Sequence, residues 1–268
     1  MESIFLLPSP KCSLLVFRYM FLRSDKEEDA INDAFVPNEA TAIVFHFKSQ
    51  AFLIEKHKRA LLPSFFLVTP TMKHLKVSIN SPFDTMVILF NASIFSRLFN
   101  VVLNKSSKSN YKVIDLFNGY PIRDYLAELS SFEERVNFFE SYLSKNIIPQ
   151  NYQPDIIDQV YNKIMINGGT FGIREILKDF SINPRVFRRN FKKRIGLSAK
   201  NLSRIVRLNN VWDQLESKCS PDIQDLILNS GFYDQSHFIN DFKNLTGESP
   251  LKFINKNLRN IKLLSGKP

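Results

Sequence analysis

Two stretches of this sequence, 51 residues apart, share one pattern, and a chain with such a repeat is expected to build the same local structure twice. Asn183, Phe187, Phe191, Lys192, Gly196 and Ser198 return as Asp234, Phe238, Phe242, Lys243, Gly247 and Ser249. Asn and Asp start helices because their side chains accept hydrogen bonds from the free backbone N–H groups of the first turn. Two phenylalanines spaced by four share one helix face, and a glycine three turns on allows the left-handed backbone that ends the helix. In the first copy Pro184 follows the cap, where a missing N–H costs nothing. A short helix around Ile173 to Phe180 precedes the first copy, and a segment started by Ser220 and Pro221 and ended by Gly231 precedes the second. Between the copies, Leu202, Ile205, Val206, Leu208, Val211, Trp212 and Leu215 lie on or near one stripe of a long helix. The pattern predicts two helix-turn-helix units joined by that helix.

Charge gives the repeat a direction. From Arg185 to Arg207 there are nine basic residues and no Asp or Glu, so this run needs an anionic partner or a great deal of water. The net charge of +10 is unevenly placed: from Asp155 onward 19 basic residues stand against 11 acidic, a net of +8, which leaves +2 for positions 1–154. Such segregation is the electrostatic footprint of a nucleic-acid-binding domain attached to something else.

The rest of the chain has a different texture. Segments Cys12 to Arg23, Thr41 to Phe47, Ala60 to Thr69 and Asp84 to Phe90 are rich in Val, Ile, Phe and Tyr and are broken by Pro37, Pro63, Pro70 and Pro82, as strands joined by turns are. From Ser93 the spacing becomes helical, and Phe138, Phe139, Tyr142 and Leu143 form an apolar stripe ending near Lys145. The expected fold class is therefore α+β with two domains: a β-rich, barrel-like N-terminal domain with C-terminal helices, then an all-α domain. Boundaries are placed at 1–145 for the N-terminal domain, 146–155 for a linker and 156–268 for the basic C-terminal domain. The linker, NIIPQNYQPD, has two prolines and little periodicity. Ile156, Ile157, Val160, Tyr161, Ile164 and Met165 then give a helical stripe that stops at Gly168 and Gly169.

Catalysis finds no support. His46, His57 and His74 form neither an H-x-H nor an H-x-x-x-H pair, and no glycine-rich phosphate loop occurs in a chain with 8 glycines. No catalytic residue, metal or cofactor is expected. Cys12 and Cys219 are too few and too far apart for a disulfide framework and are read as packing residues. No window reaches the roughly 18 apolar residues of a membrane span, and Glu2 stands where a signal peptide is basic, so a cytoplasmic location is expected.

The second copy carries a resemblance. GFYDQSHFINDFKNLTGESPLKF, Gly231 to Phe253, is similar to the signature G-F-x-D-x-S-x-F-x-x-x-F-K-x-x-x-G-x-S-P-x-x-[FY] of the AraC/XylS type of bacterial transcription regulators, and the likeness spans about Ile157 to Phe253. It implies a sequence-specific regulator that reads neighbouring major-groove segments with two units, often behind a ligand-sensing or dimerising barrel. Its partners would be promoter DNA, a small-molecule effector, a second copy and RNA polymerase. By motif position and helical geometry, Arg185, Arg188 and Arg189 are the base-edge candidates of the first unit, with Gln235, Ser236 and Asn240 in the second. Lys192, Lys193, Arg194, Lys200 and Lys243 are the phosphate candidates. His237 is placed near the backbone at the helix start rather than on a metal, and the four phenylalanines are read as core.

The sequence also departs from the pattern. Leu177 and Ile227 replace the usual small alanine, so both helix pairs are expected to pack further apart, and Ile254 stands where an arginine is usual. From Phe232 to Leu245 only Lys243 balances Asp234 and Asp241, so the second unit is expected to bind DNA more weakly. Two other classes stay open at this point: a small-molecule enzyme with a basic tether, and an RNA-associated basic protein.

Overall fold

The computed structural model describes residues 1–35, 38–55, 58–72, 75–103, 111–112, 115–217, 227, 230–232, 234–250 and 252–253. Among the described residues the N-terminal half holds ten strands: β1 (Glu2–Leu6), β2 (Val16–Ser24), β3 (Ile31–Phe35), β4 (Thr41–His46), β5 (Ala51–Glu55), β6 (Lys58–Leu61), β7 (Phe65–Val68), β8 (Leu75–Ile79), β9 (Phe83–Phe90) and the short β10 (Tyr111–Lys112). They form one sheet in the order β1-β2-β9-β4-β7-β10 and another in the order β3-β8-β5-β6, with every pair antiparallel. The expected β-rich N-terminal half is thus built of two stacked sheets that do not close on each other. Among the described residues β1, β10, β3 and β6 remain edges, so no ladder joins one sheet to the other.

The long apolar runs are explained by layering. The larger sheet lies between the smaller sheet and the helices, so its central strands are buried on both faces and lose the alternation of a half-exposed strand. Alternate residues still divide: Tyr19, Phe21, Ile43, Phe45, Ile88 and Phe90 pack toward the helices, while Met20, Leu22, Val44 and Phe83 pack against Leu53, Val77 and Ile79 of the other sheet. The apolar segment Ala60 to Thr69 is divided around Pro63 into the end of β6 and all of β7, as the proline break implied. Residues Cys12 to Leu15 form a turn ahead of β2.

Three helices cover this sheet: α1 (Ala92–Leu98), α2 (Ile122–Glu128) and α3 (Phe132–Asn146). Ser131 starts α3 with a capping box closed by Glu134, and Phe132, Val136, Phe139 and Leu143 make its buried stripe. Arg135 fastens it to β9, donating to both carboxylate oxygens of buried Asp84 at 2.8 and 3.1 Å. After residues 147–155, α4 (Ile156–Ile166) leads to α5 (Ile173–Ile176), α6 (Pro184–Ile195), α7 (Ala199–Ser217) and α8 (Gln235–Thr246). Gly169, at φ +69°, ends the turn after α4 where α7 passes so close that a Cβ would run into the Ser203 carbonyl. One hydrophobic core runs from the larger sheet through α1 and α3 to α4 and α6, and Ile147, Ile148 and Tyr152 pack against it. A second core joins α7 and α8 around Ile205, Leu208, Phe238 and Phe242, with Met72 from the N-terminal half packed against it.

Of the histidines weighed as metal ligands, His57 and His74 lie outside the described residues, and His46 is a buried core residue. Its Nδ1 is 2.9 Å from Thr85 Oγ1, and Arg123 donates twice to its backbone carbonyl. Burial, and then the charge of Arg123, push the imidazole down to about 4. The folded chain therefore binds fewer protons here than the unfolded one, whose histidine titrates near about 6.5. The contribution to stability is complete above that value and is lost as pH falls from there toward the folded value. Thermal unfolding followed between pH 7 and pH 4.5 should show a steeper loss for the wild type than for His46→Gln. Identical slopes would remove His46 as a source of acid sensitivity.

Candidate nucleic-acid interface

The first helix of the repeat, α6, forms as its sequence requires. Asn183 accepts from the N–H groups of Arg185 and Val186, Pro184 occupies the first turn, and Gly196 at φ +87° closes the helix in the left-handed region. Phe187, Phe191 and Ile195 are buried with rings of the first two 5.3 Å apart, which leaves Arg185, Arg188, Arg189, Lys192 and Lys193 on the solvent side. Among the described residues none of these five cations is held in an ion pair. A helix with one greasy and one cationic face, preceded by α5 and a single 3-10 turn (Leu177–Asp179), is what lets a side-chain row enter a groove while the other face stays in the protein.

The second copy repeats this geometry in α8. Asp234 accepts from His237 N–H at 2.7 Å, Gly247 at φ +82° ends the helix, and Phe238, Phe242 and Leu245 face the core. Gln235, Ser236, Asn240 and Lys243 are exposed, as is Lys200 at the start of α7. His237 sits at the helix start, with Nε2 3.7 Å from Asp241. Ile227 is buried within the second core, and Leu177 is partly buried beside the first. Cys219, Ser220, Pro221 and Ile254 lie outside the described residues, as do the side chains of Trp212 and Leu215.

Three arginines of the acid-free run face inward rather than out. Arg194, expected at a phosphate, is gripped by both carboxylate oxygens of Asp155 at 2.7 and 2.6 Å and lies 3.5 Å from Asp158. Arg204 grips Asp241 in the same forked way at 3.0 and 2.7 Å, and Arg207 lies 3.9 Å from the same carboxylate and over the Phe232 ring. Their acidic partners lie elsewhere in the sequence, so a local charge count could not show the pairing. Asp241 therefore does more than dilute the charge of α8: it is buried and ties that helix to α7.

Asp158 is the other residue that sequence reasoning passed over. Fully buried at the foot of α4, its carboxylate accepts from Ser93 Oγ at 2.6 Å, Tyr152 Oη at 2.8 Å, the Asp155 N–H at 3.0 Å and Arg97 at 3.1 Å. Arg97 and Ser93 belong to α1, so this one carboxylate joins the N-terminal half, the segment before α4 and, through Arg194, helix α6. Burial raises the Asp155 carboxyl, but Arg194 and the N–H groups of Asp158 and Ile157 outweigh it and hold the group below its ordinary value. The one legible signal was the D-x-x-D spacing of a capping box, which Asp155 and Asp158 do form. Among the described residues no group of three or more His, Cys, Asp or Glu is placed to hold a metal ion, and no helix is long and apolar enough to cross a membrane.

The profile of a family described as a helix-turn-helix domain matches residues 176–256, a span that contains both α6 and α8. No curated protein matches the chain by sequence. Among solved structures it is similar to ToxT from Vibrio cholerae, at 17% identity over 90% of this chain and 98% of that one with a TM-score of 0.47. A form of ToxT from the same organism with an unsaturated fatty acid bound shares 14% identity over 95% and 96% of the two chains, TM-score 0.45. The AraC-like transcriptional activator CuxR shares 9% identity over 91% and 88%, TM-score 0.28. Residues 176–256 of this chain are thus similar to a helix-turn-helix domain, and they hold two capped, glycine-closed copies of one motif.

Proposed function

We propose that the chain recognises a specific duplex sequence, with α6 and α8 in adjacent major-groove segments and α6 the stronger reader. The observation that carries this is the contrast between two faces of equal geometry. On α6 the exposed positions hold Arg185, Arg188, Arg189, Lys192 and Lys193, and on α8 they hold Gln235, Ser236, Asn240 and Lys243. Arginine grips the O6 and N7 edge of guanine through two hydrogen bonds, whereas a lysine at the rim meets phosphate and sets register. In this reading Arg185, Arg188 and Arg189 contact base edges, joined by Gln235, Ser236 and Asn240. Lys192, Lys193, Lys200 and Lys243 meet phosphates, and Arg194 supports α6 from behind.

In this reading residues 1–145 regulate and 156–268 bind promoter DNA in the cytoplasm. Control by an effector, a second copy or RNA polymerase would act on the N-terminal half and reach α6 through the shared core and Asp158. Arg188→Ala decides the nature of the contact. Its affinity for the preferred duplex, found by selection from random sequence, should fall about tenfold or more while affinity for random duplex changes little. Equal losses on both duplexes would make Arg188 a phosphate contact.

A further inference from the structure

Ile239 is an exposed apolar side chain among polar neighbours on the outer face of α8. It is 37% exposed and stands in the row Gln235, Ile239, Lys243, with Ser236 and Asn240 beside it. In the register of the repeat it occupies the position held by Arg188 in α6. A β-branched residue there favours neither the helix nor its contact with water, and it has no polar atom to offer a phosphate or the hydrogen-bonding edge of a base. The major groove presents one apolar group, the C5-methyl of thymine.

We infer that Ile239 is a specificity-determining residue that packs on a thymine methyl, so that the second unit requires thymine where the first, through Arg188, takes guanine. This rests on the reading of α8 as a groove-binding helix given above. It also gives the weaker unit a means of discrimination that needs no charge, which suits a face whose one exposed lysine is Lys243 among the residues Phe232 to Leu245.

The test uses the full chain and the duplex it selects from random sequence, with each thymine replaced in turn by uracil, which removes only the methyl. The wild type should lose affinity on the order of fourfold at one or two thymines of the half-site read by α8, the loss expected for a methyl returned to water. Ile239→Ser should bind the thymine and uracil duplexes equally, and Ile239→Arg should select sites with guanine at that position. A wild type indifferent to every uracil substitution would overturn the inference without touching the proposed function, and so would an Ile239→Ser variant that keeps the wild-type sensitivity. Failure to select any preferred duplex would overturn both. The uracil series on the wild type needs no variant to fold.

Discussion

Replacing Arg185, Arg188 and Arg189 together by alanine is expected to weaken binding to the preferred duplex by about a hundredfold or more. Each arginine paired with a guanine contributes about 1–3 kcal/mol of discrimination, and about 1.4 kcal/mol is a factor of ten. The side chains are exposed and outside the core, so the variant should melt within a degree or two of the wild type. The same truncation of Gln235, Ser236 and Asn240 should cost less, because neutral amide and hydroxyl contacts are weaker than charge-assisted ones. Titration of both triple variants against one labelled duplex decides the ranking, and equal losses would make the two units equal partners.

Asp158→Ala is expected to have the largest effect on stability. Removing a fully buried carboxylate takes one partner from Arg97, which keeps the Gln153 carbonyl at 2.9 Å, and leaves the hydroxyls of Ser93 and Tyr152 without their acceptor. Leaving buried donors without their acceptor costs about 1–3 kcal/mol, which for a chain of this size lowers the melting midpoint by several degrees. Asp155→Ala should cost less, since that carboxylate is a third exposed and water takes over part of its role. Both effects are read from thermal unfolding followed by circular dichroism. A midpoint for Asp158→Ala equal to that of the wild type would mean that the junction between the two halves does not depend on this carboxylate.

The two repeated helices were legible because their instructions are local. Asn183 with Pro184, Phe187 with Phe191, and Gly196 all act within a few residues of one another, and the copy at Asp234 to Gly247 repeats them; both helices start and stop at those caps. The stripe at Ile156 to Ile164 was legible for the same reason. What the sequence did not disclose is set by contacts distant along the chain. The inward turn of Arg194, Arg204 and Arg207 depends on Asp155 and Asp241, which share no spacing with them that a helix or strand would reveal. The two sheets were masked by double burial: Tyr19 and Met20 point to opposite faces, yet both faces are covered, so the run reads as uniformly apolar. The identity of Asp158 as a hub required Ser93 and Arg97, which come from the other half of the chain.

The central claim is that the cationic face of α6 and the polar face of α8 read sequence rather than merely attract polyanion. The direct measurement is the affinity of the intact chain, at physiological salt, for its selected duplex and for a scrambled duplex of the same length and composition. The account predicts a preference of about a thousandfold or more for the selected duplex, the range of specific recognition. Equal affinity for the two duplexes would contradict it and leave only electrostatic attachment.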